Sequence, residues 1–178
     1  MIIAVIGNYD PPPHVYALAE GVGKELARRG ITLVCGGLTG VMEAVCKGAK
    51  SENGTTIGIL PGGSPRTANE WVDFPVATNM GFARNVAVVS TGQAVIAVGG
   101  AFGTLSEIAY ALSYGIPVVS LHSWPLTLRG DGLPVGDNYI VADNPADAVD
   151  KAVAAALART DETQTVAFSE PLPEVPNG

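Results

Sequence analysis

The chain has 178 residues, of which 47% are hydrophobic and only 15% charged, with a formal net charge of −7. That length suits one domain whose core needs no disulfide or metal staple, and low charge with high apolar content suits a sheet covered on both faces. The negative balance argues against nucleic acid or an anionic membrane as the main partner, but it admits a phosphorylated small molecule, because backbone amides hold phosphate without lysines.

Taken in order, the apolar run MIIAVIG predicts a first strand over 2–6 rather than a signal peptide, since no basic segment precedes it. Asp10-Pro11-Pro12-Pro13 leads into a helix near 14–29 that stops at Gly30. A strand over 31–35, a helix near 40–51 and a strand over 56–60 follow, and then a loop with a short extended piece at 72–77. A helix near 81–91 precedes the strand 94–98, and a helix near 104–114 stops at Gly115. Ile116-Pro117-Val118-Val119 begins another strand, and Tyr139-Ile140-Val141 forms a weak last one. Asn144-Pro145 then opens the final helix with an N-cap and a proline at its first position. Residues 1–159 therefore read as one α/β domain, a three-layer Rossmann-like fold with a mostly parallel sheet. Residues 160–178, polar and containing three prolines, read as a loose tail.

Glycines punctuate the strand ends. Residues 94–107, AVIAVGGAFGTLSE, carry an apolar strand into Gly99-Gly100, through Ala101-Phe102-Gly103, and into a helix expected at Thr104 with Glu107 in its first turn. Such a junction lets the backbone approach a ligand, and the free N–H groups of the helix start favour an anion such as phosphate. Sixty-three residues earlier, Gly36-Gly37-x-x-Gly40 repeats the arrangement and Glu43 follows. Gly7 and Gly62-Gly63 also end apolar runs, so four such turns mark one edge of a sheet, where open α/β folds bind ligands.

Several ligand classes fit poorly, a P-loop nucleotide worst of all. The first turn, Gly7-Asn8-Tyr9-Asp10, lacks G-x-G-x-x-G, and the second strand ends in Cys35-Gly36 without the acidic residue that holds a nicotinamide ribose. There is no P-loop and no G-x-S-x-G elbow. Cys35 and Cys46 have neither metal nor redox spacing and read as buried thiols of a reducing, cytoplasmic compartment. Residues 85–106 carry no charge, but Ser90-Thr91-Gly92-Gln93 and the later glycines break them into helix, turn and strand rather than a membrane span.

Arg84 is the sole charge among the 33 residues between Asp73 and Glu107. On an apolar helix it requires a partner, for which Glu107 or a bound phosphate would serve; the alternative is that it snorkels to water. Thr104-x-x-Glu107 likewise fits either a capping box or a site carboxylate. Glu43 reads as structural, Asp10 and Asp73 as candidate rim carboxylates, and His14 and His122 as surface or packing residues.

Gly36-Gly37-Leu38-Thr39-Gly40-Val41-Met42, Gly81-Phe82-Ala83-Arg84-Asn85 and Gly99 through Glu107 stand in the order found in the Lonely Guy (LOG) family, which the chain resembles over residues 1–120. Family members are Rossmann-like, usually dimeric, and cleave a nucleoside 5′-monophosphate into free base and ribose 5-phosphate. The family's M-x-x-R-K arginine is matched by Arg84, while Gly81 and Asn85 replace the methionine and lysine. In its P-G-G-x-G-T-x-x-E motif, Gly99 replaces proline and Ala101 the second glycine. These departures resemble a divergent branch that is also similar to molybdenum cofactor carriers. The resemblance implies Arg84 and Glu107 as catalytic residues. It implies Gly100, Ala101, Gly103 and Thr104 as the phosphate cradle, with Gly36, Gly37 and Thr39 as the opposite lip. No metal-ligand cluster stands in the sequence, so neither metal nor cofactor is expected, and the resemblance implies a homodimer or higher homo-oligomer, which the apolar composition also favours. The "lysine decarboxylase" label common in the family does not fit, because Lys24, Lys47, Lys50 and Lys151 all fall on predicted helices away from the glycine turns, where pyridoxal phosphate would need a lysine.

Overall fold

The computed structural model describes residues 1–130 and 132–159; the tail expected over 160–178 lies outside the described residues. Seven strands form one sheet in the order β4-β3-β2-β1-β5-β6-β7. These are β1 (Ile2–Gly7), β2 (Thr32–Cys35), β3 (Thr56–Leu60), β4 (Phe74–Ala77), β5 (Ala94–Val98), β6 (Val118–Leu121) and β7 (Tyr139–Ala142). Every pairing is parallel, so the sheet is wholly rather than mostly so. The chain steps outward from β1 to β4 and then returns to place β5 on the other side of β1. That reversal is the topological switch point, where a crevice opens beyond the carboxyl ends of the strands.

The helices are α1 (Pro13–Arg28), α2 (Val41–Ser51), α3 (Arg84–Thr91), α4 (Phe102–Ser113) and α5 (Pro145–Ala158). One core joins α1, α2 and α5 to one sheet face through Ile3, Val5 and Leu33. A second joins α3 and α4 to the opposite face through Ala4, Ile6 and Val34. Alternate residues of β1 thus feed opposite cores, which is why the central strands read as unbroken apolar runs. Among the described residues, no helix is long and apolar enough to cross a membrane.

Of the boundaries that differ from the sequence reading, three bear on the site or its flank. Residues Gly81–Ala83 form a 3-10 turn and α3 starts only at Arg84. β6 begins at Val118, because the Ile116 N–H still closes α4 onto the Ala111 carbonyl (2.8 Å) after Gly115 takes φ +64°. α4 begins at Phe102, two residues early, with Ala101 at its N-cap and no side-chain cap. Thr104 is therefore its third residue and Glu107 lies in its second turn, so the capping box is not formed.

Candidate functional site

A cavity of about 450 Å³ opens beyond the carboxyl ends of β1, β2 and β5. Of the residues expected there, Gly36, Arg84, Ala101, Gly103, Thr104 and Glu107 line it. Gly37, Thr39 and Gly100 sit in the same turns but are not part of the lining. Gly37 donates its N–H to Cys35 Sγ (3.3 Å) and accepts from the Asn69 N–H (2.9 Å). Thr39 is exposed and donates to the Tyr9 carbonyl at 3.4 Å. The Gly100 amide is already engaged, since it donates to Asn8 Oδ1.

Asn8 ties the two lips together. Its side chain holds the β5–α4 turn, and its carbonyl accepts the first amide of α2, from Val41, at 2.9 Å. Gly40 makes that approach possible: a Cβ there would lie 2.2 Å from the Tyr9 carbonyl oxygen. On the other lip, the first amide of α4 to find an intrahelical partner is Leu105, which donates to the Ala101 carbonyl at 3.0 Å. The amides of Phe102, Gly103 and Thr104 precede it and form the donor-rich end of the helix dipole beside the cavity.

Arg84 and Glu107 meet at the cavity wall, each 7% exposed. Arg84 Nη1 stands 3.7 Å from Glu107 Oε1. Arg84 does not snorkel: it packs over the backbone of Gly36, where a Cβ would lie 2.6 Å from Nη2. Burial pushes the Glu107 carboxyl up to about 7 against the pull of Arg84. Burial likewise lowers the Arg84 guanidinium from its ordinary value, offset in part by Glu107 and Cys35. Both partners are thus displaced toward their neutral forms, so desolvation outweighs their mutual attraction. A carboxyl placed near neutrality can take or give a proton at physiological pH.

The remaining candidates lie elsewhere. Asp73 binds Lys50 (2.8 Å) and the Thr56 N–H (2.9 Å), knotting β3 to the segment before β4. Asp10 is exposed and outside the cavity lining, as are His14 and His122. Glu43 occupies the first turn of α2. Cys35 and Cys46 are both buried and free, with Sγ atoms 3.5 Å apart. The lysines pair with Glu20, Asp73 and Asp147 away from the cavity.

The cavity also recruits Tyr9, Phe82 and Asn85, which sequence reasoning did not place there. Tyr9 is 65% and Phe82 90% exposed. Aromatic residues standing in glycine-flanked turns, rather than on an apolar face, were the available signal.

The model of the SLOG cluster4 family matches residues 1–149. An uncharacterized protein of Archaeoglobus fulgidus is 45% identical over 130 residues, 73% of this chain and 85% of the relative. A cytokinin riboside 5′-monophosphate phosphoribohydrolase of Rhodococcoides fascians is 30% identical over 125 residues, 64% of this chain but only 59% of the relative. Among solved structures, the molybdenum cofactor carrier protein of Chlamydomonas reinhardtii is similar with a TM-score of 0.75 and 35% identity, covering 89% of this chain and 99% of the carrier.

Proposed function

The chain belongs to the SLOG cluster4 family, and from that premise we propose that it is a LOG-like phosphoribohydrolase acting on a nucleoside 5′-monophosphate such as AMP. The observation that carries this reading is the buried Arg84–Glu107 pair on the wall of a cavity beside the amino end of α4. The 5′-phosphate sits at the α4 amides with Gly103 and Thr104, and Arg84 offsets its charge. Gly36 keeps the opposite lip low enough for the sugar to enter.

In the reaction the C1′–N bond breaks and its electron pair leaves with the base, which gains a proton. The oxygen of water bonds to C1′, and Glu107, after stabilising the oxocarbenium-like transition state, accepts the proton that water loses and releases it to solvent, from which the departing base takes its own. The products are free base and ribose 5-phosphate. The phosphoribohydrolase of Rhodococcoides fascians supports this assignment.

A second reading is a carrier that holds the molybdenum cofactor, a phosphorylated pterin, without turning it over. The nearly full-length likeness to the Chlamydomonas carrier favours it. Incubation with AMP separates the two: the hydrolase releases adenine and ribose 5-phosphate, and Glu107→Gln abolishes the release. A carrier gives no release in either form, while a phosphorylated ligand still raises the melting temperature.

The reading includes a homodimer. Between Asp73 and Arg129 the only charged residues are Arg84 and Glu107, and both are buried. The α3–α4 side of the molecule therefore presents apolar groups, among them Phe102 and Tyr110, with no charge. Copies that each carry −7 elsewhere meet best on such a face. Sedimentation velocity tests it: the wild type runs as a dimer or larger, and Tyr110→Glu shifts it toward monomer.

A further inference from the structure

Arg84 and Asn85 are neighbours in sequence, and consecutive helical residues do not ordinarily face each other. Here they do, with Arg84 Nη1 donating to Asn85 Oδ1 at 2.7 Å. The acceptor has to be the amide carbonyl, because a guanidinium offers only donors. Asn85 is 7% exposed and lines the cavity, so this contact is made inside the site.

The guanidinium is then held at two points. One edge is held by Asn85, and Nη2 rests against Gly36. Nε is buried and, among the described residues, has no hydrogen-bond partner. The distance to Glu107 is 3.7 Å, whereas a direct charge-assisted bond spans ~2.7–2.9 Å. The nitrogen that donates to Asn85, Nη1, is the same one that stands off from the carboxylate.

We propose that Asn85 is a positioning residue: its carbonyl holds the Arg84 guanidinium short of Glu107, so that the carboxylate stays free of a direct hydrogen bond from the cation and the arginine keeps an unused donor for the ligand. The inference rests on reading Arg84 and Glu107 as the pair that handles the ligand. Without Asn85 the guanidinium closes onto the carboxylate, and each group satisfies the other instead of a phosphorylated molecule. The titratable groups acting on this pair are the two partners themselves and Cys35, below Gly36 at the end of β2.

The test is a carbon-13 NMR titration of the Glu107 carboxyl, assigned with Glu107→Gln, in the wild type, Asn85→Leu and Asn85→Ala. Leucine keeps the volume and removes the acceptor; alanine removes both, and carries the test if the leucine variant does not fold. The expected result is a midpoint at least one pH unit lower in the variants, a tenfold loss of proton affinity, as the arginine moves into contact. A purely structural role for Asn85 would not move that midpoint. An unchanged or higher midpoint in a folded variant overturns the proposal. The titration needs no turnover, so wild-type protein that leaves AMP intact refutes the hydrolase and not the role of Asn85.

Discussion

Glu107→Gln should reverse part of the pH dependence of stability. The carboxyl rises from an ordinary 4.5 to about 7 on folding because burial disfavours its charged form. A group that binds its proton more tightly when folded stabilises the native state at low pH, and the contribution is lost as pH climbs through 4.5 toward 7. That rise corresponds to about 3 kcal/mol, most of which falls between pH 5 and pH 8. Glu20, Glu25 and Asp147 are shifted the other way, chiefly by lysine and arginine partners, and Asp73 likewise, against its burial, by Lys50 and Thr56; the stability they contribute is lost as pH falls. The difference between wild type and variant removes those shared effects. At pH 5 both proteins present Arg84 with a neutral partner, so their unfolding free energies should be close. At pH 8 the glutamine variant should be the more stable by roughly 2–3 kcal/mol relative to the pH 5 comparison. Urea unfolding followed by fluorescence of Trp71 and Trp124 measures both. A difference that stays constant across this range, or grows in favour of the wild type, would refute a carboxyl desolvated by the cavity wall.

Arg84→Met removes the cation that holds the Glu107 midpoint down; if it also offsets the phosphate as proposed, calorimetry should show AMP binding weakened by about 10- to 100-fold, as for loss of a charge-assisted bond. Asn8→Ala releases the Gly100 amide and unties the two lips, and should cost about 1 kcal/mol of stability by urea titration. Gly23→Ala would place a Cβ 2.0 Å from the Val45 carbonyl oxygen, driving α1 from α2. Overpacking of this kind costs about 1–3 kcal/mol and should lower the melting temperature by roughly 5–10 °C; a melting curve superimposable on the wild type would contradict the close helix contact.

The parallel sheet was legible because its central strands, buried on both faces, are continuous apolar runs such as Ala94–Val98. The isolation of Arg84 in an uncharged stretch pointed to a buried charge with a partner, and Glu107 is that partner at 3.7 Å. The start of α4 was misplaced because Thr104-Leu105-Ser106-Glu107 imitates a capping box, while the real N-cap, Ala101, carries no side-chain signal. Gly37 and Gly100 sit in the glycine turns but direct their amides to Cys35 and Asn8. Those partners lie in the strand itself or 92 residues away, and no local pattern announces them. Tyr9 and Phe82 reach the cavity from turns and Asn85 from the first turn of α3, placements that periodicity does not encode.

The most direct measurement is a crystal structure of the Glu107→Gln protein with AMP bound. The account predicts phosphate oxygens within ~2.7–3.2 Å of the amides that open α4, at Gly103 and Thr104, with the ribose C1′ facing residue 107. AMP bound away from the cavity, or in it with the phosphate turned from α4 and the base against Arg84, would contradict it.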